Sequence, residues 1–262
     1  MDLSDSYANG RYIAQAEDYP PRWAGAAACF RKAMALSGRL REGLSYGPAG
    51  RNRFDLVLPK GSAAGLVVFV HGGYWMKFGR ADWTHLAGGA VARDWAVALP
   101  SYEHCPQVRI SDITRQIADA ITAAAVEVSG PIRLAGHSAG GHLVARMLAG
   151  GLLPDAVAGR LAHVMPISPL SDLRPLLQTD MNATLGLDAA EAEAESPVLM
   201  PQPMVPVTAW VGGDERPAFI DQARWLSQAW GCGLVIDEGR HHFNVIDGLA
   251  APDSAITDRL LG

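Results

Sequence analysis

From about Glu42 onward, short apolar runs alternate with longer stretches of helical periodicity. Arg53 to Leu58 alternates polar and apolar and stops at Pro59, which predicts an early strand near a sheet edge. Leu66 to Val70 is a continuous apolar run, as expected of a strand covered on both faces. Trp95 to Leu99, Pro131 to Ala135, His163 to Ile167, Val207 to Val211 and Leu234 to Asp237 read as further strands. Helical patterns fall between them, over Asp112 to Val128, from Ala139 to about Leu148, and over Pro217 to Trp230, with a short helix after Asp253. Ahead of this region, Trp23, Ala27, Phe30 and Met34 recur at helical spacing after Pro20-Pro21, the mark of a packed helix face.

Strands that alternate with helices of ten or more residues predict an α/β protein with a mostly parallel central sheet and helices on both faces. Residues 1–262 read as one such domain, with residues 1–41 as an N-terminal helical extension. Residues 172–206 are too few for a large lid and predict a small cap, which favours small substrates. Within them, Ala189 to Glu195 alternates Ala and Glu and reads as an exposed helix with a solvated acidic face.

Composition narrows the function. The 262 residues are 49% hydrophobic and 19% charged, a globular balance. The formal net charge is −5 with Lys and Arg scattered, which argues against a nucleic-acid partner. Three scattered cysteines, Cys29, Cys105 and Cys232, make no disulfide framework and read as small buried residues in a reducing compartment. The start, Met1-Asp2-Leu3-Ser4-Asp5, lacks the basic and apolar regions of a signal peptide, and no apolar run is long enough to span a bilayer. A cytoplasmic protein with no membrane partner is expected. No metal-ligand cluster is visible. Tryptophans on the surface would suit a homodimer interface.

In parallel sheets the ligand site lies beyond the carboxyl ends of the strands, and those positions hold a concentrated set of residues. After Leu66–Val70 comes His71-Gly72-Gly73-Tyr74-Trp75, and after the strand ending at Ala135 comes Gly136-His137-Ser138-Ala139-Gly140. Gly-x-Ser-x-Gly between a strand and a helix is the nucleophile-elbow pattern, which puts Ser138 at a helix N-terminus. Backbone N–H groups of Gly72 or Gly73, with that of Ala139, would hold the oxyanion of a tetrahedral intermediate, each worth ~3 kcal/mol. A serine hydroxyl needs a base, expected after the last strand, where His241 and His242 stand. The orienting acid should follow an earlier strand. Asp214 fits best, Asp172 is the runner-up, and the adjacent Glu215 stays open. Tyr74 and Trp75 would line a substrate pocket or pack in the core. His71 and His142 read as structural histidines.

These segments together resemble the α/β-hydrolases around kynurenine formamidase (arylformamidase) and the related small carboxylesterases. His71-Gly72-Gly73-Tyr74-Trp75 is similar to the family's HGGxW segment, and Gly136 to Leu143 to its elbow. Tyr102 with Cys105 to Val108, Ser168 to Leu173, Gly213-Asp214 and His242-Phe243 also resemble family segments, over about Arg53 to Asp247. The resemblance implies the α/β-hydrolase fold, His242 rather than His241 as base, and Asp214 rather than Asp172 as acid. Asn244 and the pair Glu215-Arg216 depart from the family pattern.

The expected chemistry is cofactor-free acyl transfer to water: a serine hydrolase with Ser138, His242 and Asp214, cleaving a small ester or amide. The resemblance implies the formamide of N-formylkynurenine as the bond. Two other readings stand beside it. One is a carboxylesterase or thioesterase of other substrate. The other is a non-catalytic ligand-binding version of the fold, which an intact triad and oxyanion loop disfavour.

Overall fold

The computed structural model describes residues 3–262, so Met1 and Asp2, where the leaderless start was read, lie outside the described residues. Eight strands form one sheet: β1 (Leu40–Ser45), β2 (Arg53–Val57), β3 (Leu66–Val70), β4 (Ala96–Pro100), β5 (Ile132–His137), β6 (Leu161–Ile167), β7 (Thr208–Gly212) and β8 (Gly233–Asp237). Their spatial order is β1-β2-β4-β3-β5-β6-β7-β8. The pairs β1–β2 and β2–β4 are antiparallel, and the rest of the sheet is parallel. Strand β1 was not expected. Its sequence, LREGLS, is polar and without clean alternation, and as the edge strand it carries an irregularity between Arg41 and Leu44.

Nine helices accompany the sheet among the described residues: α1 (Tyr19–Leu36), α2 (Gly88–Ala92), α3 (Ile110–Glu127), α4 (Ala139–Arg146), α5 (Asp155–Ala158), α6 (Asn182–Leu185), α7 (Ala189–Ala194), α8 (Pro217–Trp230) and α9 (Ala255–Leu261). Strand β3 explains why both faces need cover. Its side chains alternate between the two sides, so Leu66, Val68 and Val70 enter one core layer, and Val67 and Phe69 the other. The first layer is completed by α3, α4 and α8 through Ile113, Ile117, Leu143, Val144, Phe219 and Leu226. The second takes Trp23 and Met34 of α1, Val91 of α2 and Leu260 of α9. The stripe read in the N-terminal region therefore belongs to a helix that roofs the sheet, with Trp23, Ala27 and Met34 buried.

Three expectations need correction. The acidic helix α7 is not a solvated face. Glu191 and Glu195 lie one helical turn apart, both are buried, and they meet Arg109 at 2.5 Å and Arg146 at 3.0 Å. Among the cysteines, Cys105 is buried and Cys232 half-buried, but Cys29 is exposed on α1. Among the tryptophans only Trp225 is exposed, so a face rich in surface tryptophan does not exist. No helix among the described residues is long and apolar enough to cross a membrane.

Candidate active site

Ser138 sits between the end of β5 and the first residue of α4, with φ 57° and ψ −118°. A positive φ is strained for a residue with a side chain, and it persists only where packing over-determines it. Here the packing is backbone on backbone. A Cβ on Gly140 would lie 2.0 Å from the carbonyl oxygen of Val70, so only glycine lets α4 start this close to β3. Ser138 N–H is tied to the carbonyl of Ile167 at 2.8 Å. The turn thus lifts Ser138 out of the strand and sets it at the N-terminus of α4, where free N–H groups favour negative charge.

His242 lies in the loop after β8 and is buried. Its Nδ1 donates to Glu215 Oε2 at 2.6 Å. Glu215 is also buried; its Oε1 accepts from the backbone N–H of Gly212 at 2.8 Å and from the hydroxyl of Ser168. The carboxylate is therefore held at both oxygens, and the imidazole is held in the tautomer that leaves Nε2 unprotonated. His137, the free position of the elbow, also fixes this loop. Its Nε2 donates to the backbone carbonyl of His242 at 2.9 Å, and burial holds the ring well below the usual histidine range.

The acid expected at Asp214 is not the carboxylate that meets His242. Asp214 is exposed, and its N–H donates to the carbonyl of Arg240 at 2.9 Å, which turns its side chain away from the histidine. The neighbouring residue in the same tight turn points the other way, and that residue is Glu215. Asp172, the other alternative, is bound to Arg174 at 2.6 Å and caps that residue's backbone instead. His241 is not placed as a base: its Nε2 pairs with the hydroxyl of Tyr19 at 3.0 Å, and its Nδ1 accepts from the N–H of Phe243.

The turn after β3 lies against the elbow. A Cβ on Gly72 would come 3.0 Å from Ser138 Cβ, and Gly73 takes φ 108°. Gly72 and Gly73 both line the same cavity as Ser138 and His242. Ala139 is the first residue of α4, so its N–H has no acceptor within the helix. His71 is structural, as read. Its Nδ1 donates to the Gly72 carbonyl at 2.8 Å, its ring stacks on Tyr102 at 4.4 Å, and burial pushes its pKa down to about 3. Tyr74 lines the cavity, with its hydroxyl donating to the carbonyl of Tyr7 at 2.6 Å. Trp75 does not line it. It is fully buried and packs edge-on against His142 at 5.2 Å, so its expected substrate contact is replaced by core packing.

The cavity above Ser138 measures about 670 Å³. Trp23, Phe78, Trp83 and Phe243 cluster into an aromatic wall on one side. Its roof comes mainly from the N-terminal segment, through Tyr7, Ala8, Asn9, Gly10 and Arg11. The expected cap, residues 172–206, contributes only Asp180 and Met181. Motif and spacing gave no hint of this role for residues 3–18. They fold as single 3-10 turns, which leave no periodic pattern to read. The described residues hold no cluster of three or more His, Cys, Asp or Glu suited to a metal ion.

Comparison with known proteins agrees with the fold. Residues 67–205 match a family described as alpha/beta hydrolase fold. Kynurenine formamidase of Drosophila melanogaster is 27% identical over 241 residues, which cover 82% of this chain and 78% of that protein. An isoprenylcysteine alpha-carbonyl methylesterase of Arabidopsis thaliana is 36% identical over 119 residues, but these cover only 42% of this chain and 28% of that protein. Among solved structures, a candidate thioesterase from Silicibacter sp. TM1040 is 58% identical, with a TM-score of 0.98 over the whole of both chains. Esterase 2 of Thermogutta terrifontis, at 19% identity and a TM-score of 0.67 over 85% of this chain and 91% of that one, shares the fold.

Proposed function

Because the chain belongs to the alpha/beta-hydrolase fold family, we propose that it is a serine hydrolase in which Ser138 is the nucleophile, His242 the base and Glu215 the orienting acid. The observation that carries this reading is the 2.6 Å contact between His242 Nδ1 and Glu215, on a loop that opens onto the same cavity as Ser138. Nε2 of His242 takes the proton of the Ser138 hydroxyl as its oxygen attacks the substrate carbonyl. The charge that develops on the carbonyl oxygen is met by the N–H of Ala139 and the N–H groups of the Gly72–Gly73 turn. Glu215 stabilises the imidazolium. His242 then protonates the leaving atom, and the acyl-serine is hydrolysed by a water activated in the same way. No cofactor enters these steps.

The bond we assign is a small acyl amide or ester on an aromatic leaving group, with the formamide of N-formylkynurenine as the first substrate to test. Support comes from the aromatic wall of the cavity and from the relatives named kynurenine formamidase. A second reading, a short-acyl thioesterase, is favoured by the 58% identical neighbour. Three substrates separate them: N-formylkynurenine, p-nitrophenyl acetate and a short acyl thioester, each assayed with wild type and Ser138→Ala. The formamidase reading expects kcat/KM near ~10⁴ M⁻¹s⁻¹ or above on the formamide, and a loss of at least ~10³-fold in Ser138→Ala. A marked preference for the thioester moves the assignment to the second reading. Full activity in Ser138→Ala would falsify the serine mechanism.

A further inference from the structure

The cavity is built with hydrogen-bonding capacity that the protein itself does not use. Asn9, at the start of a single turn in the roof, is 5% exposed, yet neither its Oδ1 nor its Nδ2 has a hydrogen-bond partner. Trp83, on the opposite aromatic side, is 2% exposed, and its Nε1 is likewise unpartnered. Both residues line the cavity over Ser138. Buried polar groups are nearly always paired, and an unpaired carboxamide is costly to keep. A leucine would fill the same volume without that cost. Neither amide atom is open to the empty cavity, so the carboxamide finds its partner in something that enters and shifts the side chain.

Its position says which part of a ligand it meets. Another cavity, of about 220 Å³, is bounded by Tyr12, Ile13, Glu215 and His241. Asn9 and His242 are the two residues common to both linings, so the carboxamide and the imidazole share one wall. In acyl transfer the leaving atom must come within reach of the histidine that protonates it. The groups attached to that atom then lie against Asn9. Because a carboxamide offers one acceptor and two donors, its complement is a neutral group with a donor and an acceptor side by side.

We propose that Asn9 is a specificity-determining residue that hydrogen-bonds a polar substituent on the aromatic leaving group, of carboxamide-like chemistry and adjacent to the scissile bond. This rests on the hydrolase reading of the Ser138 site.

The test compares wild type, Asn9→Leu and Asn9→Ala on phenyl acetate and 2-carbamoylphenyl acetate, and follows the Tm shift that benzamide causes in each protein. Intrinsic reactivity cancels when the ratio of kcat/KM for the two esters is compared across variants. In both variants the proposal expects the ratio of carbamoyl to unsubstituted ester to fall by about 10-fold or more. Phenyl acetate is the reference in that ratio, whatever its own rate becomes, and the benzamide shift should vanish. The free Asn9→Leu protein should melt at or above the wild-type temperature, because an unsatisfied amide has been removed. An unchanged ester ratio overturns the proposal. So does a lower Tm in Asn9→Leu with both esters declining together, since the carboxamide would then be serving the fold. If wild type cleaves neither ester, it is the hydrolase reading that fails, and benzamide decides the role of Asn9. A wild-type shift lost in the variants upholds contact with a ligand, and equal or absent shifts overturn it.

Discussion

Glu215 meets His242 because a single turn points two adjacent acids in opposite directions. Asp214 N–H is anchored to Arg240 and Gly213 N–H to Asp237, both on or beside β8, and this carries the Asp214 side chain into solvent. Glu215 comes next, just ahead of the helix start at Pro217, and its longer side chain reaches back under the strand end to Gly212 and Ser168. The two residues are therefore separable by experiment. Glu215→Gln should leave the volume and most contacts intact while removing the charge that holds the imidazole tautomer, and kcat on p-nitrophenyl acetate should fall by ~10²–10⁴-fold. Asp214→Asn should stay within about 3-fold of wild type. Equal losses in the two variants, or a larger one in Asp214→Asn, would reverse the assignment. The neighbouring pair Glu215-Arg216 faces two ways: the first residue meets His242, and the second reaches Asp5 in the roof.

At the scale of elements, the N-terminal segment behaves as a wall of the site rather than as an appendage. Asp5 accepts from Arg216 at 2.9 Å, from Arg11 at 3.1 Å and from the Tyr12 hydroxyl at 2.7 Å, while Arg216 lies over the Tyr12 ring at 3.7 Å. Leu3 N–H reaches Gln178, and Tyr7 is held by Gln222 and Tyr74. The hydrogen bond from Tyr12, with the nearby arginines, holds the Asp5 carboxyl below the usual carboxylate range. Asp5→Ala should release one corner of the roof. We expect KM for an aryl ester to rise about 3- to 10-fold with kcat changed less, and faster limited proteolysis ahead of Tyr19; unchanged KM and proteolysis would mean that the other contacts suffice. This element also marks where sequence reading stops. Strands such as Leu66–Val70 and helices such as Pro217–Trp230 declare themselves through local patterning, and short motifs at strand ends point to Ser138, Gly72, Gly73 and the pair His241-His242, between which the resemblance chose. The roof depends on contacts between residues some 65 to 215 positions apart, such as Tyr7 with Tyr74 and with Gln222. No local pattern encodes such contacts. Spacing could not separate Asp214 from Glu215 for a related reason, since it does not report which way a turn residue points.

For the whole molecule, the buried histidines set the response to acid. His71 is pushed down to about 3 and His142 to about 4 by burial, and burial holds His137 well below the ordinary value as well. In the unfolded chain these rings take up protons near pH 6.5. Between that pH and their folded values, the unfolded state binds more protons than the native state, so stability falls as pH falls. Glu195 acts in the same direction at lower pH. Burial raises its carboxyl, but Arg146, His142 and Thr114 outweigh that and leave it below the ordinary glutamate value, so its contribution is lost as the group protonates. Asp247, raised by burial, opposes the trend, though it is outnumbered. The expected profile is a Tm that is flat above about pH 7 and declines steadily from about pH 6.5 towards pH 4. His142 is the ring to test, because its Nε2 donates to the carbonyl of Glu195 at 2.8 Å, a bond that a glutamine amide can replace. His142→Gln should melt somewhat lower than wild type at pH 8 and lose less on acidification, so that the two curves converge as pH falls. Parallel curves in thermal melts from pH 4 to 8 would show that His142 titrates no differently in the folded and unfolded states.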